Sequence, residues 1–166
     1  MRRSHKTIAA ACLYGALLLP AVVAGAEPPR PFVSGSLQHI IDTHAGKPFI
    51  LGFWSLSCSH CREELTLLGH MLRKYPRLPV VLVSTDSPDD GAAIGAALKG
   101  HSLEGRESWV FADPDSDRLR YQVDRRWYGE LPRTYLYEKD GSATAYSGNV
   151  DAPRLEDWMR TRLERN

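Results

Sequence analysis

Apolar residues along this chain alternate between short unbroken blocks and stripes at helical spacing. Pro48 to Trp54 is an unbroken block rich in large side chains, the pattern of a central strand buried on both faces. A turn at Ser55 to Ser57 follows, and then Cys61, Leu65, Leu68, Leu72 and Tyr75 recur three or four residues apart. That spacing draws one apolar stripe down a helix beginning at or next to Cys58. Pro79 to Ser84 is a second β-rich block, after which Ser87-Pro88-Asp89-Asp90 supplies a cap, a first-turn proline and two acids for a helix ending at Gly100.

Weaker patterns fill the remainder. Leu37, Ile40 and Ile41 predict a short helix from Ser36 to His44, ended by Gly46. Trp109 to Phe111 predicts a short strand before a capped turn at Asp113-Pro114, and Leu119 to Val123 closes another short helix. Thr134 to Glu138, Lys139-Asp140-Gly141 and Ser142 to Tyr146 predict a hairpin. Asp151 and Pro153 open a terminal helix with Leu155, Trp158, Met159 and Leu163 on one face. The order βαβα, a loop, then ββα places the chain in the α/β class, a central mixed sheet flanked by helices.

The amino end follows a different logic. Arg2, Arg3 and Lys6 precede an uncharged apolar run from Ile8 to Val23, and Ala24-Gly25-Ala26 is a small-residue cleavage pattern just after the helix breaker Pro20. Residues 1–26 are therefore expected to be a signal peptide. The alternative is an uncleaved N-terminal anchor, since Ile8 to Ala26 is long enough to span a bilayer. Either reading exports the remainder to the periplasm, or to the periplasmic face of the inner membrane. Glu27 to Pro31 is proline-rich and predicts an extended lead-in with no packing of its own, leaving residues 32–166 as one domain. The formal charge is +1, three of the positive charges lie in the signal, and no charge run follows. That balance gives no support to nucleic-acid binding, and contact with a membrane is expected only through the N-terminal segment.

The chain has three cysteines. Cys12 lies in the export signal and leaves with it on cleavage, so the body keeps one pair, Cys58 and Cys61. A bridge between them closes a very short loop and would be a poor staple, whereas an oxidising compartment lets such a pair form and exchange disulfides. Cys58 heads the helix, where unsatisfied N–H groups and the helix dipole favour thiolate, so Cys58 is the expected nucleophile and Cys61 the resolving thiol. Zinc needs about four ligands, and no second pair supplies them. His39, His44, His70 and His101 are isolated, and copper binding by the two cysteines with one of them is the competing reading. A peroxidase reading is weaker, because Ser55 to Cys58 lacks the Pro-x-x-x-Thr-x-x-Cys context. No cofactor is called for.

Phe53-Trp54-x-x-x-Cys58-x-x-Cys61-Arg62-x-Glu64, then Asp113-Pro114-Asp115, Leu131-Pro132-x-Thr134-x-Leu136, Asp140-Gly141 and Gly148 occur in that order. Together they resemble the exported thioredoxin-like proteins of the TlpA and ResA type over about Phe32 to Leu163. The resemblance implies a thioredoxin-like fold and thiol-disulfide oxidoreductase activity. It also implies a cis Pro132 facing the cysteines, with Leu131 offering its backbone to an extended substrate segment. Glu64 would exchange protons with the dithiol; on the residues alone it is one of two adjacent glutamates on a mostly polar face, and solvation is the competing reading. Trp54 would be core packing beside the site. The implied partners are disulfide-bearing or dithiol proteins and a membrane electron donor of the DsbD or CcdA type, usually in reductive service to cytochrome c maturation or copper-site cysteines.

Three features depart from that pattern. Gly52 stands where thioredoxin itself carries a buried acid, which leaves Glu64 as the nearby proton carrier. His60 replaces the usual proline between the cysteines, as in oxidising DsbA-type proteins. A protonated histidine there would stabilise a thiolate and raise the potential, leaving oxidation open, unless the ring is simply exposed. Finally, Asp124 to Leu131 is longer than the usual link to this proline. Trp127 and Tyr128 beside Arg125 and Arg126 would suit partner recognition if exposed, or packing if the loop folds onto its own domain.

Overall fold

A computed structural model describes residues 27–163; the expected export signal, with Cys12, lies outside them. Six strands form one mixed sheet: β1 (Arg30–Phe32), β2 (Phe49–Trp54), β3 (Val80–Ser84), β4 (Glu107–Phe111), β5 (Arg133–Tyr137) and β6 (Ala143–Ser147). Five helices accompany them: α1 (Ser36–Thr43), α2 (Ser59–Lys74), α3 (Gly91–Gly100), α4 (Ser116–Val123) and α5 (Ala152–Leu163). The strand order is β1-β4-β3-β2-β5-β6. Strands β1, β4, β3 and β2 run parallel, and β5 and β6 complete the sheet as an antiparallel hairpin against β2.

Strand order decides where the helices go. From β2 to β3 to β4 the chain steps outward in one direction, and right-handed crossovers set α2 and α3 on the same face. The step from β1 to β2 runs the other way and puts α1 on the opposite face. Side-chain alternation sorts the core accordingly. Ile50 and Trp54 join Leu65, Leu68, Ile94, Leu155 and Met159 on the α2 face. Phe49, Leu51 and Phe53 join Ile40, Phe111, Leu119 and Tyr135 on the other. Every residue of β2 is buried, as its unbroken apolar block predicts.

Two local features refine the expected elements. Residues Pro88–Asp90 form a separate 3-10 turn closed by a capping box between Ser87 and Asp90, and α3 begins only at Gly91. Gly69, inside α2, faces the backbone of His101 so closely that a Cβ would sit 1.9 Å from its carbonyl oxygen. This residue lets α2 meet the chain leaving α3.

The lead-in departs from expectation. Arg30 and Pro31, expected to have no packing of their own, belong to β1 and pair with Trp109 and Val110 of β4. The strand is three residues long and contains a proline, so it shows no periodicity, and its proline is tolerated because β1 is an edge. Residues 27–30 also line a cavity of about 590 Å³ with Leu98 and Leu103, at the amino end of β4.

Candidate dithiol site

Strand β2 ends at Trp54 and the chain turns through Ser55 to Ser57, where the Cys58 N–H donates to the Ser55 carbonyl at 3.3 Å. Asp86, just past β3, pins this turn. Its Oδ2 accepts from the Leu56 N–H at 2.9 Å and from the Ser84 hydroxyl at 2.5 Å. The backbone of Thr85 donates to the Trp54 carbonyl at 2.9 Å. The turn thus hangs from two adjacent parallel strands, and it delivers Cys58 to the N-cap of α2.

Cys58 and Cys61 are joined by a disulfide, with Cα atoms 5.2 Å apart. The Cys58 sulfur also accepts from the Cys61 N–H at 3.1 Å, replacing the usual oxygen cap. The Cys58 sulfur thus sits at the positive end of the helix dipole. The two sulfurs differ in access: Cys61 is fully buried, and Cys58 is partly exposed.

One turn further along α2, Glu64 is only 3 % exposed, so the solvated reading of this residue is corrected. Its two oxygens accept from the Thr134 hydroxyl at 3.1 Å and the Val150 N–H at 3.0 Å. Burial pushes its carboxyl above the ordinary value, and the bonds from Val150 and Thr134 only partly offset this. Thr134 lies opposite Gly52 in the β2–β5 ladder. The helix carboxylate therefore reaches the sheet beside the strand position that has no side chain. Neither partner was singled out from the sequence, although Thr134 stood in the quoted motif two residues after Pro132.

The Leu131–Pro132 peptide bond is cis. Pro132 is buried, and its carbonyl accepts from Gly148 at 2.9 Å. Phe53 pairs with Arg133, so Pro132 stands one step beyond, at the same end of the sheet as Trp54 and the cysteine turn. Leu131, Leu56 and Cys58 are the half-buried fringe of one core cluster. Trp54 lies inside that cluster, 3 % exposed, with its indole N–H buried and unpaired.

His60 lies at the surface. Its ring is 73 % exposed and its Nδ1 lies 3.7 Å from Glu63, whose carboxylate also accepts from Asn149 at 2.6 Å. The long loop before Pro132 divides in two. Trp127 takes the packing alternative: it lies on Phe53 with ring centroids 4.7 Å apart and donates to the Glu130 carbonyl at 2.9 Å. Tyr128 remains outside, 85 % exposed. Arg133, at the start of β5, ties the loop to this strand by donating to Asp124 at 2.6 Å, and it reaches Ser147 of β6 at 2.6 Å.

The four histidines of the copper reading have other neighbours. His39 packs edge-on against Trp109 and His44 stacks on Phe49, while His70 meets Arg73 and His101 meets Thr66. Among the described residues no cluster of three histidine, cysteine or acidic side chains is set to hold a metal ion.

The fold that carries this site recurs in solved structures. A secreted Mycobacterium tuberculosis disulfide oxidoreductase homologous to Escherichia coli DsbE is similar over 72 % of this chain and 85 % of its own, with 20 % identity and a TM-score of 0.59. DsbF of the same bacterium matches 72 % of this chain and 84 % of its own, at 18 % identity and a TM-score of 0.58. A DsbE-type thiol:disulfide interchange protein from Chlorobium tepidum matches 74 % and 84 %, at 26 % identity and a TM-score of 0.51. The fold is thioredoxin-like. The structural neighbours are thioredoxin-like thiol-disulfide oxidoreductases, the kind of protein that the sequence resembles. No protein-family model matches the chain, and no curated protein matches its sequence. Within the thioredoxin-like frame, the Cys58–Cys61 pair supports a dithiol redox role.

Proposed function

We propose that this protein is an exported thiol-disulfide oxidoreductase working mainly as a reductase of disulfides in partner proteins. The observation that carries the reading is the asymmetry of the pair: Cys58 is partly exposed, and its sulfur receives the Cys61 N–H, while Cys61 is sealed beneath it. In the reduced protein the Cys58 thiolate attacks one sulfur of the partner's disulfide. A Cys58–partner bond forms, and the other partner sulfur leaves as a thiolate and takes up a proton. Glu64 accepts the proton of Cys61, a task suited to a carboxyl raised by burial. The Cys61 thiolate then attacks the Cys58 sulfur, restoring the Cys58–Cys61 disulfide and releasing the second partner thiol. Two electrons have moved to the partner, and a separate membrane donor of the DsbD or CcdA type returns them. Leu131 and Pro132 present the backbone edge against which an extended substrate segment lies.

Export follows from Arg2 to Ala26, and the periplasm-facing setting suits neighbours of DsbE type, one of which is a secreted protein. The cysteines of cytochromes c awaiting haem, or of copper sites, are the first substrates to test. The exposure of His60 and its neighbour Glu63, which weaken any hold of the ring on a thiolate, support the reductive direction over a DsbA-like one. Equilibration of the Cys58–Cys61 pair with glutathione tests the proposal. A potential below about −200 mV is expected, and one near the −120 mV of DsbA would make the protein an oxidant.

A further inference from the structure

Three large hydrophobic side chains are exposed among the described residues, and two of them, Tyr121 and Tyr128, flank the segment that leads into Pro132. This segment is not loose. Trp127 anchors it to Phe53, Arg133 clamps it through Asp124, and Gly129, at φ 102°, turns the chain directly after Tyr128. An aromatic ring held 85 % exposed on an anchored loop contributes little to folding and loses little freedom on binding.

The acids of this segment are held by the chain itself. Asp124 is 14 % exposed and takes the Arg133 guanidinium, and Glu130, although exposed, turns back to accept the Tyr128 N–H at 3.1 Å. The backbone N–H of Arg126 and then the Arg133 guanidinium hold the Asp124 carboxyl below its usual value, so it stays ionised inward. The segment's arginines are exposed. Arg126 is 89 % exposed, with its Nε 3.7 Å from the Asp124 carboxylate that Arg133 already takes, and the Arg125 guanidinium lies 5.4 Å from the Tyr121 ring centre. The surface between the end of α4 and the cis-proline thus carries two tyrosines and two arginines against one exposed acid, Glu130.

We propose that Tyr121, Arg125, Arg126 and Tyr128 form a docking surface for protein substrates that carry an acidic, aromatic-containing segment next to the disulfide to be exchanged. The arginines pair with its carboxylates, and Tyr128 supplies the apolar contact that orients the segment toward Pro132 and Cys58. This inference rests on the dithiol exchange proposed above. The surface selects partners, and the dithiol reacts with them.

Two synthetic peptides test it, each with the same disulfide loop and one tryptophan, one flanked by aspartates and glutamates and the other by lysines. Their reduction by the reduced protein is followed beside that of glutathione disulfide. The acidic peptide is expected to react about threefold to tenfold faster at low ionic strength, with the ratio shrinking in high salt. Arg125→Glu combined with Arg126→Glu is expected to reverse the ratio, and Tyr128→Ala to slow the acidic peptide at an unchanged denaturation midpoint. Equal rates for the two peptides, or a ratio untouched by the charge reversal, would overturn the docking surface while leaving the dithiol reading intact. If the reduced protein leaves glutathione disulfide untouched and the oxidised protein also takes no electrons from glutathione, the dithiol reading falls, and the docking surface with it.

Discussion

The two faces of the sheet are built from different materials. On the α2 face the core is largely aliphatic, with Ile50, Leu65, Leu68, Leu82, Ile94 and Leu155 around the buried sulfur of Cys61. On the α1 face it is largely aromatic, with Phe32 stacked on Phe111, Phe49 on Tyr137 and Phe53 against Trp127. The buried carboxylate of Glu64 sits on the aliphatic face, where a low-dielectric setting acts strongly on a proton carrier. Among the described residues the aromatic face buries no acid as fully as Glu64, and it holds the loop that presents Pro132, whose Asp124 is paired with Arg133. Because β2 alternates between the faces, neighbouring residues serve different ends: Trp54 leads into the cysteine turn, and Phe53 supports the loop that meets it.

That division makes four predictions. Cys58→Ser is expected to reduce disulfide exchange to background while leaving the denaturation midpoint of the reduced protein unchanged, since a half-exposed thiol adds little to packing; insulin reduction and urea melts check this. Phe53→Ala should do the opposite. Loss of a fully buried ring typically costs about 3–5 kcal/mol, yet the folded fraction should keep the wild-type thiol potential. A large potential shift in this variant would break the distinction between chemical and supporting faces.

Glu64→Gln is expected to slow release of the mixed disulfide by about tenfold or more, the scale of one lost acid–base group, read by quench-flow on the second step. Its effect on stability has a definite sign. Since burial raises the folded-state value, the contribution of the protonated carboxyl is fully present below the ordinary glutamate value and lost as pH rises through the raised one. Wild type should therefore lose stability relative to Glu64→Gln as pH climbs above about 4.5. Denaturant midpoints that stay parallel across that range would show that Glu64 does not titrate in this way.

His60→Ala should have the smallest effect. An exposed ring paired with an exposed glutamate acts weakly on a neighbouring sulfur, so the potential should move by no more than about 20 mV. A shift several times larger would return His60 to the role that its place between the cysteines first suggests.

β2 and β3 were legible as unbroken apolar blocks, α2 and α5 as stripes long enough to repeat their period, and the β5–β6 hairpin by its Lys139-Asp140-Gly141 turn. Strand β1 was not legible, since Arg30-Pro31-Phe32 has no period to display and gains its pairing only from β4. Side-chain fate was less legible than backbone. Glu63 and Glu64 are adjacent and chemically alike, yet one bonds exposed Asn149 and the other is buried against Thr134 and Val150. Trp127 and Tyr128 separate in the same way, one inside and one out. These choices depend on contacts distant in sequence, with β5, the segment before α5 and Phe53, which no local window contains. The cysteine pair was legible because chemistry at a helix start depends on neighbours only a few residues away.

The central claim is that Cys58 attacks partner disulfides and Cys61 resolves the product. Trapping tests it most directly, by mixing reduced Cys61→Ser protein with a disulfide-bearing peptide and analysing the acid-quenched products by intact mass and peptide mapping. The account predicts a stable adduct linked through Cys58 and released by dithiothreitol, which wild type resolves before it accumulates. No adduct in Cys61→Ser, or a stable adduct on Cys61 in a Cys58→Ser variant that forms as fast, would contradict it.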